Sequence, residues 1–311
     1  MSTIKSVTIV GASGNVGQAV LPFFIEAGFD VTVICRPTSE STFPPAVNVI
    51  KSDYTLDSLI SALTGQDAVI CALGPMSLQV ETVVIDAAAT ARVKWFIPSE
   101  FGHNTADERV LKVLPLLKTK TDILAQLGSK AQDGMNWVGI VTGLFFDWGL
   151  ARGFLEFDIP KHTARIWDDG NTTYLTTNIS DIGIALVKLL SDPAVQNEVK
   201  NKHVHISSFE VSQNQILQEL ERVTGETFKV ESISSQEIRR HATERLAKGD
   251  LSSIGPLLQY IAWGEERLSQ WTAEAKYGNA LLLPQHRETF EQTVERVSVG
   301  VLNGKDGKAA L

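Results

Sequence analysis

The stretch Gly11-Ala12-Ser13-Gly14-Asn15-Val16-Gly17 decides the fold of this chain. An apolar run at residues 7–10 precedes it, and Gly28 stands where a following helix would stop. Between these points one face carries apolar residues at helical spacing, namely Val16, Ala19, Val20, Phe23, Phe24 and Ala27. A strand, a glycine-rich turn and a helix in this order are typical of a site for dinucleotide phosphates.

Each glycine of the turn has its own predicted role. Gly11 permits the tight turn, Gly14 lets the backbone approach a pyrophosphate, and Gly17 allows close packing of strand and helix. Free N–H groups and the helix dipole favour an anion at the start of the helix. Glycines alone also fit an ordinary turn of an α/β domain, but a second strand at residues 31–34 makes the nucleotide interpretation the stronger one.

Composition is typical of an enzyme-like protein with one large domain or two that share an interface. The 311 residues are 43% hydrophobic and 21% charged, and 28 Lys+Arg against 36 Asp+Glu give a formal charge of −8. This balance argues against a general nucleic-acid or anionic-membrane surface. Because no apolar run approaches the roughly 18 residues of a membrane span, we predict a cytoplasmic protein with no membrane partner.

Cysteine and histidine usage predicts neither a disulfide nor a metal site. Cys35 and Cys71 both lie at the ends of apolar runs, as buried thiols do. The six histidines are scattered, and no Cys/His cluster has the spacing of zinc ligands.

Strand-like runs alternate with helical stretches over the first half of the chain. The runs are residues 7–10, 31–34, 47–51, 68–71, 93–97 and 137–141. This alternation predicts an α/β protein with a Rossmann doubly wound parallel sheet. We assign residues 1–155 to an NADP-binding Rossmann domain, and about 176–206 to a return to it.

The remaining residues predict a smaller C-terminal substrate-binding subdomain, made of 156–175 and 207–302. Within the returning segment, a helix starts at Ser180 or Asp181 and ends at Asp192-Pro193. Residues 228–231 predict a short strand. The tail at 303–311 is mostly polar, charged and small, which predicts disorder.

The residue after the second strand indicates which dinucleotide binds. An acidic residue there holds the ribose of NAD, whereas an arginine pairs with the 2′-phosphate of NADP. Here the strand is followed by Arg36, with hydroxyls at Thr38, Ser39 and Ser41. NADP(H) is therefore the predicted cofactor, although Arg36 could also be an ordinary solvated loop residue.

Ligands of such sheets lie beyond the carboxyl ends of the strands. The residues at these ends are Asp53, Tyr54, Ala72, Leu73, Gly74, Ser99, Glu100, Phe101 and Gly102. Asp53 and Tyr54 could flank the adenine. Glu100 could orient a hydroxyl or a lysine in the crevice, or it could simply cap a helix; both interpretations stay open.

A tyrosine followed four residues later by a lysine, the usual acid of short-chain dehydrogenases, is missing. The four tyrosines are followed at that spacing by Ser58, Asn178, Gly264 and Leu281. A reductase would therefore take its proton elsewhere, with Lys118 or Lys120 as the nearest candidates.

Together these features resemble the isoflavone-reductase-like and NmrA-like family of atypical short-chain dehydrogenases/reductases, in a fungal-type member. The matching elements are residues 11–17, Arg36-Pro37, Phe96-Ile-Pro-Ser-Glu-Phe-Gly102, Lys120 with Ile123, and residues 137–146. The resemblance implies that Lys120 is the catalytic lysine, and Glu100 is the second predicted catalytic residue. The expected NADP contacts are Gly11, Ser13, Gly14, Asn15, Val16, Gly17, Arg36, Asp53, Tyr54, Ala72, Leu73, Gly74, Ser99, Phe101, Lys120, Thr142 and Gly143.

The resulting hypothesis is an NADPH-dependent reductase that transfers a hydride to a small aromatic substrate at a C=C, C=N or C=O bond. Its predicted substrate wall is Leu144, Phe145, Phe146, Trp148 and Phe154, a stripe equally typical of plain core. Because residues 142–146 differ from the plant enzymes, the resemblance implies a different substrate. A non-catalytic NmrA-like redox sensor with a partner protein, and an enzyme whose cofactor is structural, are the alternatives. Monomer and homodimer both stay open.

Overall fold

A seven-stranded parallel sheet is the largest element of the computed structural model, which describes residues 4–283 and 287–304. The strands are β1 Ser6–Val10, β2 Asp30–Cys35, β3 Asn48–Lys51, β4 Ala68–Cys71, β5 Trp95–Ile97, β6 Asn136–Val141, β7 Leu144–Phe145, β8 Phe157–Asp158, β9 Thr163–Trp167, β10 Tyr174–Thr177, β11 Lys202–His205, β12 Phe209–Val211 and β13 Lys229–Ile233. The order of the large sheet is β11-β6-β5-β4-β1-β2-β3. This arrangement confirms the predicted Rossmann class.

Helices cover both faces of this sheet and build a second, smaller half. They are α1 Asn15–Glu26, α2 Leu56–Leu63, α3 Leu78–Thr90, α4 Glu108–Val113, α5 Lys118–Lys130, α6 Phe146–Ala151, α7 Ile179–Ser191, α8 Pro193–Val199, α9 Gln213–Thr224, α10 Ser235–Ala247, α11 Ile254–Trp263, α12 Thr272–Leu282 and α13 Phe290–Leu302. Of the helices in the described ranges, none is long and apolar enough to cross a membrane.

The six predicted strands of the large sheet are all present, with ends that differ by at most two residues. The largest difference is at β5, which begins at Trp95 rather than at residue 93. The Val93 N–H instead donates to the Ala88 carbonyl and closes the end of α3. The strand predicted at 228–231 is β13, Lys229–Ile233.

Helix α7 begins at Ile179, slightly before the predicted start, and ends at Ser191. Asp192 then accepts hydrogen bonds from the N–H groups of Ala194 and Val195, so it also caps α8. α7 packs closely on α1 at Gly183. A Cβ on this residue would lie only 2.4 Å from the Phe23 ring. After α7 and α8 the chain reaches the edge of the large sheet, where β11 pairs with β6, whereas residues 176 and 177 belong to β10.

The smaller half has its own core and two short sheets, ordered β12-β10-β7 and β13-β9-β8. β7 pairs in parallel with β10, so the chain passes from the large sheet into the smaller half within a few residues. The division into a cofactor domain and a substrate subdomain stays a prediction. Of the predicted tail, Asn303 and Gly304 close the end of α13, and 305–311 lie outside the described residues.

A crevice lies between β1 and β4, at the carboxyl edge of the large sheet. β1 pairs with β2 on one side and β4 on the other, so the strand order reverses at this point. Ligands of doubly wound sheets bind at such a switch point, beyond the carboxyl ends of the strands. The glycine turn follows β1 there, and Ala72-Leu73-Gly74 follows β4.

Candidate functional site

Backbone contacts make glycine necessary at two positions of the turn after β1. Gly11 has φ +85°, and a Cβ there would lie 2.6 Å from the Ala72 carbonyl oxygen. A Cβ at Gly17 would lie 2.4 Å from the Gly11 carbonyl oxygen. Gly14 precedes α1 and has no side chain to cover the first N–H groups of that helix. The turn therefore brings a helix N-terminus to the crevice with its backbone uncovered.

Two cavities meet at this turn. The Arg36 cavity, about 640 Å³, extends from the turn toward the ends of β2 and β3. The Lys120 cavity, about 460 Å³, extends toward α5 and the smaller half. Their shared lining residues are Gly14, Ala72, Leu73 and Gly74. Because the linings overlap, the two cavities form one trough along the carboxyl edge of the sheet.

The Arg36 cavity contains most of the residues predicted for the adenosine end. Arg36 is exposed at its rim, with Ser13, Asp53 and Tyr54 among the other lining residues. The Tyr54 hydroxyl donates to the Ile34 carbonyl at 3.2 Å, which fixes the ring beside β2. The Asp53 carboxylate accepts from the Thr55 N–H at 3.1 Å, and this lowers the pKa of Asp53. An exposed guanidinium beside a fixed ring can receive a phosphate-bearing adenosine.

Lys120 reaches the opposite end of the trough from the first turn of α5. It is buried, and its Nζ donates to the Glu100 carbonyl oxygen at 2.8 Å. Burial lowers the pKa of Lys120, while the nearby carboxylates of Glu100 and Glu81 oppose that shift. Lys118 is exposed and pairs with Asp122 at 2.6 Å. Of the two candidate lysines, only Lys120 lines the cavity.

Glu100 lies behind Lys120 and not on the cavity surface. Its Oε2 accepts from the Thr105 hydroxyl at 2.8 Å and lies 3.3 Å from His203 Nε2. Gly139 makes room for this pair, because a Cβ there would lie 2.7 Å from the His203 ring. Burial raises the pKa of Glu100, but His203, Lys120 and Thr105 together leave it below its usual range. The cap of the following helix α4 is Asp107, so Glu100 does not have the capping role.

Four of the five predicted substrate-wall residues line the Lys120 cavity: Leu144, Phe145, Trp148 and Phe154. Phe146 does not, because its fully buried ring packs on Phe209 and Phe290, with ring centroids 5.2 and 5.7 Å away. The predicted wall position of Phe146 is therefore wrong, since neighbouring side chains at the extended start of α6 point to opposite sides.

Two of the predicted cofactor contacts also lie outside the trough. The Thr142 side chain is fully buried, and its hydroxyl donates to the Gly143 carbonyl at 3.1 Å. Gly17 acts through the close packing described above. The other predicted contacts all line one cavity or both. Within the described residues, no group of three or more His, Cys, Asp or Glu side chains could hold a metal ion.

The NmrA-like family profile matches residues 3–248 of the chain. The chain belongs to the NmrA-like family. Among its relatives, Oxidoreductase aprR of Aspergillus flavus is 34% identical over 263 residues, which are 83% of this chain and 87% of the relative. Isoflavone reductase homolog IRL of Zea mays is 29% identical over 262 residues, 78% and 82% of the two chains. The predicted resemblance is confirmed.

Solved structures share this NmrA-like architecture. The structure described as AtPrR2 with NADP+ and (+)pinoresinol superposes with a TM-score of 0.79 at 17% identity, covering 95% of this chain and 99% of the other. A ternary complex of leucoanthocyanidin reductase from Vitis vinifera gives 0.76 at 18% identity, covering 94% and 99%. Similarity at these identities shows a common fold.

Two buried groups of this NmrA-like site were missed in the sequence. The first is Glu81 on α3, whose Oε1 accepts from the Ser99 N–H at 2.8 Å. Burial raises the pKa of Glu81 to about 7, against the opposing effects of Ser99 and Lys120. Its position is visible in the helical spacing, because Leu78, Glu81 and Ile85 lie on the buried face of α3.

The second is His103, which lines the Lys120 cavity and connects the two halves. Its Nε2 lies 2.9 Å from the Leu258 carbonyl and its Nδ1 lies 3.1 Å from the Ser269 hydroxyl. Since a carbonyl only accepts, Nε2 carries the proton and Nδ1 accepts from Ser269. Burial lowers the pKa of His103 to about 4, so the ring is neutral at pH 7.

Proposed function

We propose that this protein is an NADPH-dependent reductase that transfers a hydride to a small aromatic substrate, with Lys120 supporting proton transfer. The trough carries this proposal: Arg36 lies at one end, Lys120 at the other, and the glycine turn lies where the two cavities meet. The relatives are named as an oxidoreductase and an isoflavone reductase homolog, and structural neighbours include complexes with NADP+ and with NADPH.

The residues at the trough fit this cofactor. The tight contacts of Gly11 and Gly17 leave the start of α1 uncovered for the pyrophosphate. Arg36 offers a planar guanidinium for the 2′-phosphate, with hydroxyls at Thr38 and Ser39 in the same lining. Tyr54 supplies a fixed ring for the adenine. At the other end, the cavity beside Lys120 takes the nicotinamide and the substrate.

Lys120 would hold and move the proton. When bound, NADPH supplies the hydride. The Glu100 carbonyl engages one N–H of Lys120 and so fixes the ammonium at the cavity wall. The remaining N–H groups of the Lys120 ammonium are available to an oxygen or nitrogen atom of the substrate. Because burial lowers its pKa, Lys120 gives up a proton more readily than a solvated lysine does.

The lining of the Lys120 cavity selects for aromatic substrates of low charge. Phe101, Phe145, Trp148 and Phe154 contribute aromatic surface, and the Trp148 and Phe154 rings are 5.8 Å apart. Since His103 is neutral at pH 7, Lys120 is the only charged side chain among the described lining residues. An apolar wall also excludes water from the transfer. C=C, C=N and C=O acceptors all fit this chemistry.

A cofactor titration followed by a substrate screen tests the proposal. Binding of NADPH and NADH is measured from the fluorescence gain of the nicotinamide, and aromatic enones, imines and ketones are then screened for NADPH oxidation. We expect NADPH to bind more tightly than NADH and at least one substrate class to turn over. Failure to bind either cofactor would overturn the proposal. Tight binding of NADPH with no turnover of any class would instead support the redox-sensor alternative.

A further inference from the structure

Glu81 has fewer hydrogen-bond partners than its burial requires. The side chain is fully buried, and Oε1 accepts one hydrogen bond, from the Ser99 N–H. Oε2 has no hydrogen-bond partner within residues 4–283 and 287–304. A buried carboxylate normally has several donors or a cation beside it, because removal of its charge from water is costly. Glu81 must therefore either interact with a nearby cation or keep its proton.

The nearby cation is Lys120, which also faces a second carboxylate. Its Nζ donates to the Glu100 carbonyl, and Glu81 accepts from the N–H of the preceding residue, Ser99, so both carboxylates lie close enough to the ammonium to raise its pKa. Glu100 has two further partners, Thr105 and His203, whereas the donors to Glu81 all belong to one residue, Ser99. When two carboxylates share one cation, the one with fewer donors retains its proton to higher pH. The raised pKa of Glu81 and the lowered pKa of Glu100 have these directions.

We propose that Glu81 is a positioning residue for Lys120, and that its ionisation sets the pH range over which Lys120 stays protonated. As Glu81 loses its proton, its negative charge stabilises the ammonium, so Lys120 keeps its own proton to higher pH. The catalytic meaning of this coupling rests on the function proposed above. The coupling itself depends only on the two side chains and their burial.

The other titratable groups around the pair do not supply this effect. Glu100, in the segment after β5, stays ionised because its pKa is lowered. Burial raises the pKa of the Cys71 thiol at the end of β4, and burial keeps His103 neutral. His203 on β11 contacts Glu100 and lies behind it. Glu81 is the carboxyl group of this cluster whose pKa is raised to about 7.

A direct measurement of the Lys120 pKa tests the coupling without cofactor or substrate. The full chain is labelled at lysine Cε, the Lys120 resonance is assigned by its loss in Lys120→Met, and NMR titrations are recorded. Glu81→Gln keeps the oxygen that accepts from Ser99 and removes only the ionisation. We expect the Lys120 pKa to fall by about one unit, a tenfold loss of proton affinity. Glu219→Gln, a buried glutamate paired with Arg222 on α9, should leave it unchanged.

An unchanged Lys120 pKa in Glu81→Gln would overturn the proposal. If that variant does not fold, the coupling is measured instead as the pKa of Glu81. This pKa is obtained from the Glu81 carboxyl resonance in the wild type and in Lys120→Met. Because the linkage is reciprocal, the pKa of Glu81 should rise by the same amount when the ammonium is removed. No rise would equally overturn it. If the NADPH titration contradicted the reductase proposal, the pKa values of Lys120 and Glu81 could still be measured. The two failures are therefore distinguishable.

Discussion

The two ends of the trough hold their charges in opposite environments. At the Arg36 cavity the charged side chains, Arg36 and Asp53, are exposed. At the Lys120 cavity they are buried, with Lys120, Glu81 and Glu100 all less than a tenth exposed. Water screens exposed charges from one another, whereas buried charges interact strongly. Cofactor selectivity can therefore change at one end at little cost to the fold, while any change at the other end alters several groups together.

The largest effect is expected from the buried end. Lys120→Met removes the proposed proton donor and should lower NADPH-dependent turnover by about 1,000-fold, the usual size of general acid catalysis. NADPH affinity should change by less than about threefold, since the proposed phosphate contacts are at the glycine turn and Arg36 and not at Lys120. Steady-state rates and cofactor titration measure the two quantities.

Lys118→Met is the matched control for this prediction. Lys118 lies on the same helix, two residues away, but is exposed and paired with Asp122. Its removal should leave both turnover and affinity at wild-type values. Equal rates in the two methionine variants would remove Lys120 from the mechanism.

The turn between the two ends should be the next most sensitive point. In Gly17→Ala the new Cβ would lie 2.4 Å from the Gly11 carbonyl oxygen, so backbone must shift. We expect unfolding free energy to fall by about 3 kcal/mol and both NADPH and NADH to bind more weakly. Chemical denaturation and cofactor titration check these expectations.

Gly128→Ala provides the comparison for an unhindered helix glycine. Gly128 lies on the exposed side of α5, and no described atom lies within 4 Å of its ideal Cβ. This change should raise stability by about 1 kcal/mol, because alanine favours the helix. If Gly17→Ala behaved in the same way, the close packing of the turn would not matter for folding.

At the exposed end, Arg36→Ala should weaken NADPH binding by about 30-fold, the loss of charge-assisted hydrogen bonds worth about 2 kcal/mol. NADH lacks the 2′-phosphate, so its affinity should stay within about twofold. The melting temperature should not move, because Arg36 is exposed. Arg109→Ala, an exposed arginine on α4, is the control. An equal loss of affinity for NADH would mean that Arg36 does not bind the 2′-phosphate.

The smallest effect concerns pH at the buried end. The folded-state pKa of His103 is lowered to about 4 from 6.5, so the unfolded chain binds a proton in this window that the folded chain does not. Its contribution to stability is therefore complete above about pH 6.5 and is lost as pH falls toward about 4. Between about pH 7 and about pH 5.5, wild type should lose about 1 kcal/mol more than His103→Gln.

Denaturation curves at both pH values test this expectation. Glu81, whose folded pKa is raised, contributes the opposite slope, but it does so in wild type and variant alike. The difference between the two proteins thus isolates His103. Identical slopes would show that the pKa of His103 is the same in the folded and unfolded protein.

The sequence predicted the strands of the large sheet and the glycine turn well, because both depend on local patterns. Buried parallel strands are continuous apolar runs, as at β4, Ala68–Cys71. Arg36 and Lys120 could be placed from their position relative to a strand or helix. The family resemblance favoured Lys120 over Lys118 as the proposed catalytic lysine, a choice that no local pattern indicates.

The residues that were missed depend on contacts between distant parts of the chain. His103 contacts Ser269, which lies 166 residues later, and no period of the sequence encodes that pairing. Glu81 was missed because its environment depends on Ser99 and Lys120, which lie on other segments of the chain. Phe146 was placed on the wrong side because the sequence does not show where β7 ends and α6 begins. That point decides to which side each neighbouring side chain projects.

Gly143 links β6 to β7, and a Cβ there would lie 2.3 Å from the Leu175 carbonyl oxygen. Leu144 and Phe145 form β7, whose backbone is held by pairing with β10 in the short sheet of the smaller half. Trp148, Phe154 and Leu258, which also line the Lys120 cavity, come instead from α6, the segment after it and α11. A mutant library aimed at new substrates should therefore vary these last three positions. Their side chains can change in size while the backbone of Leu144 and Phe145 keeps its position.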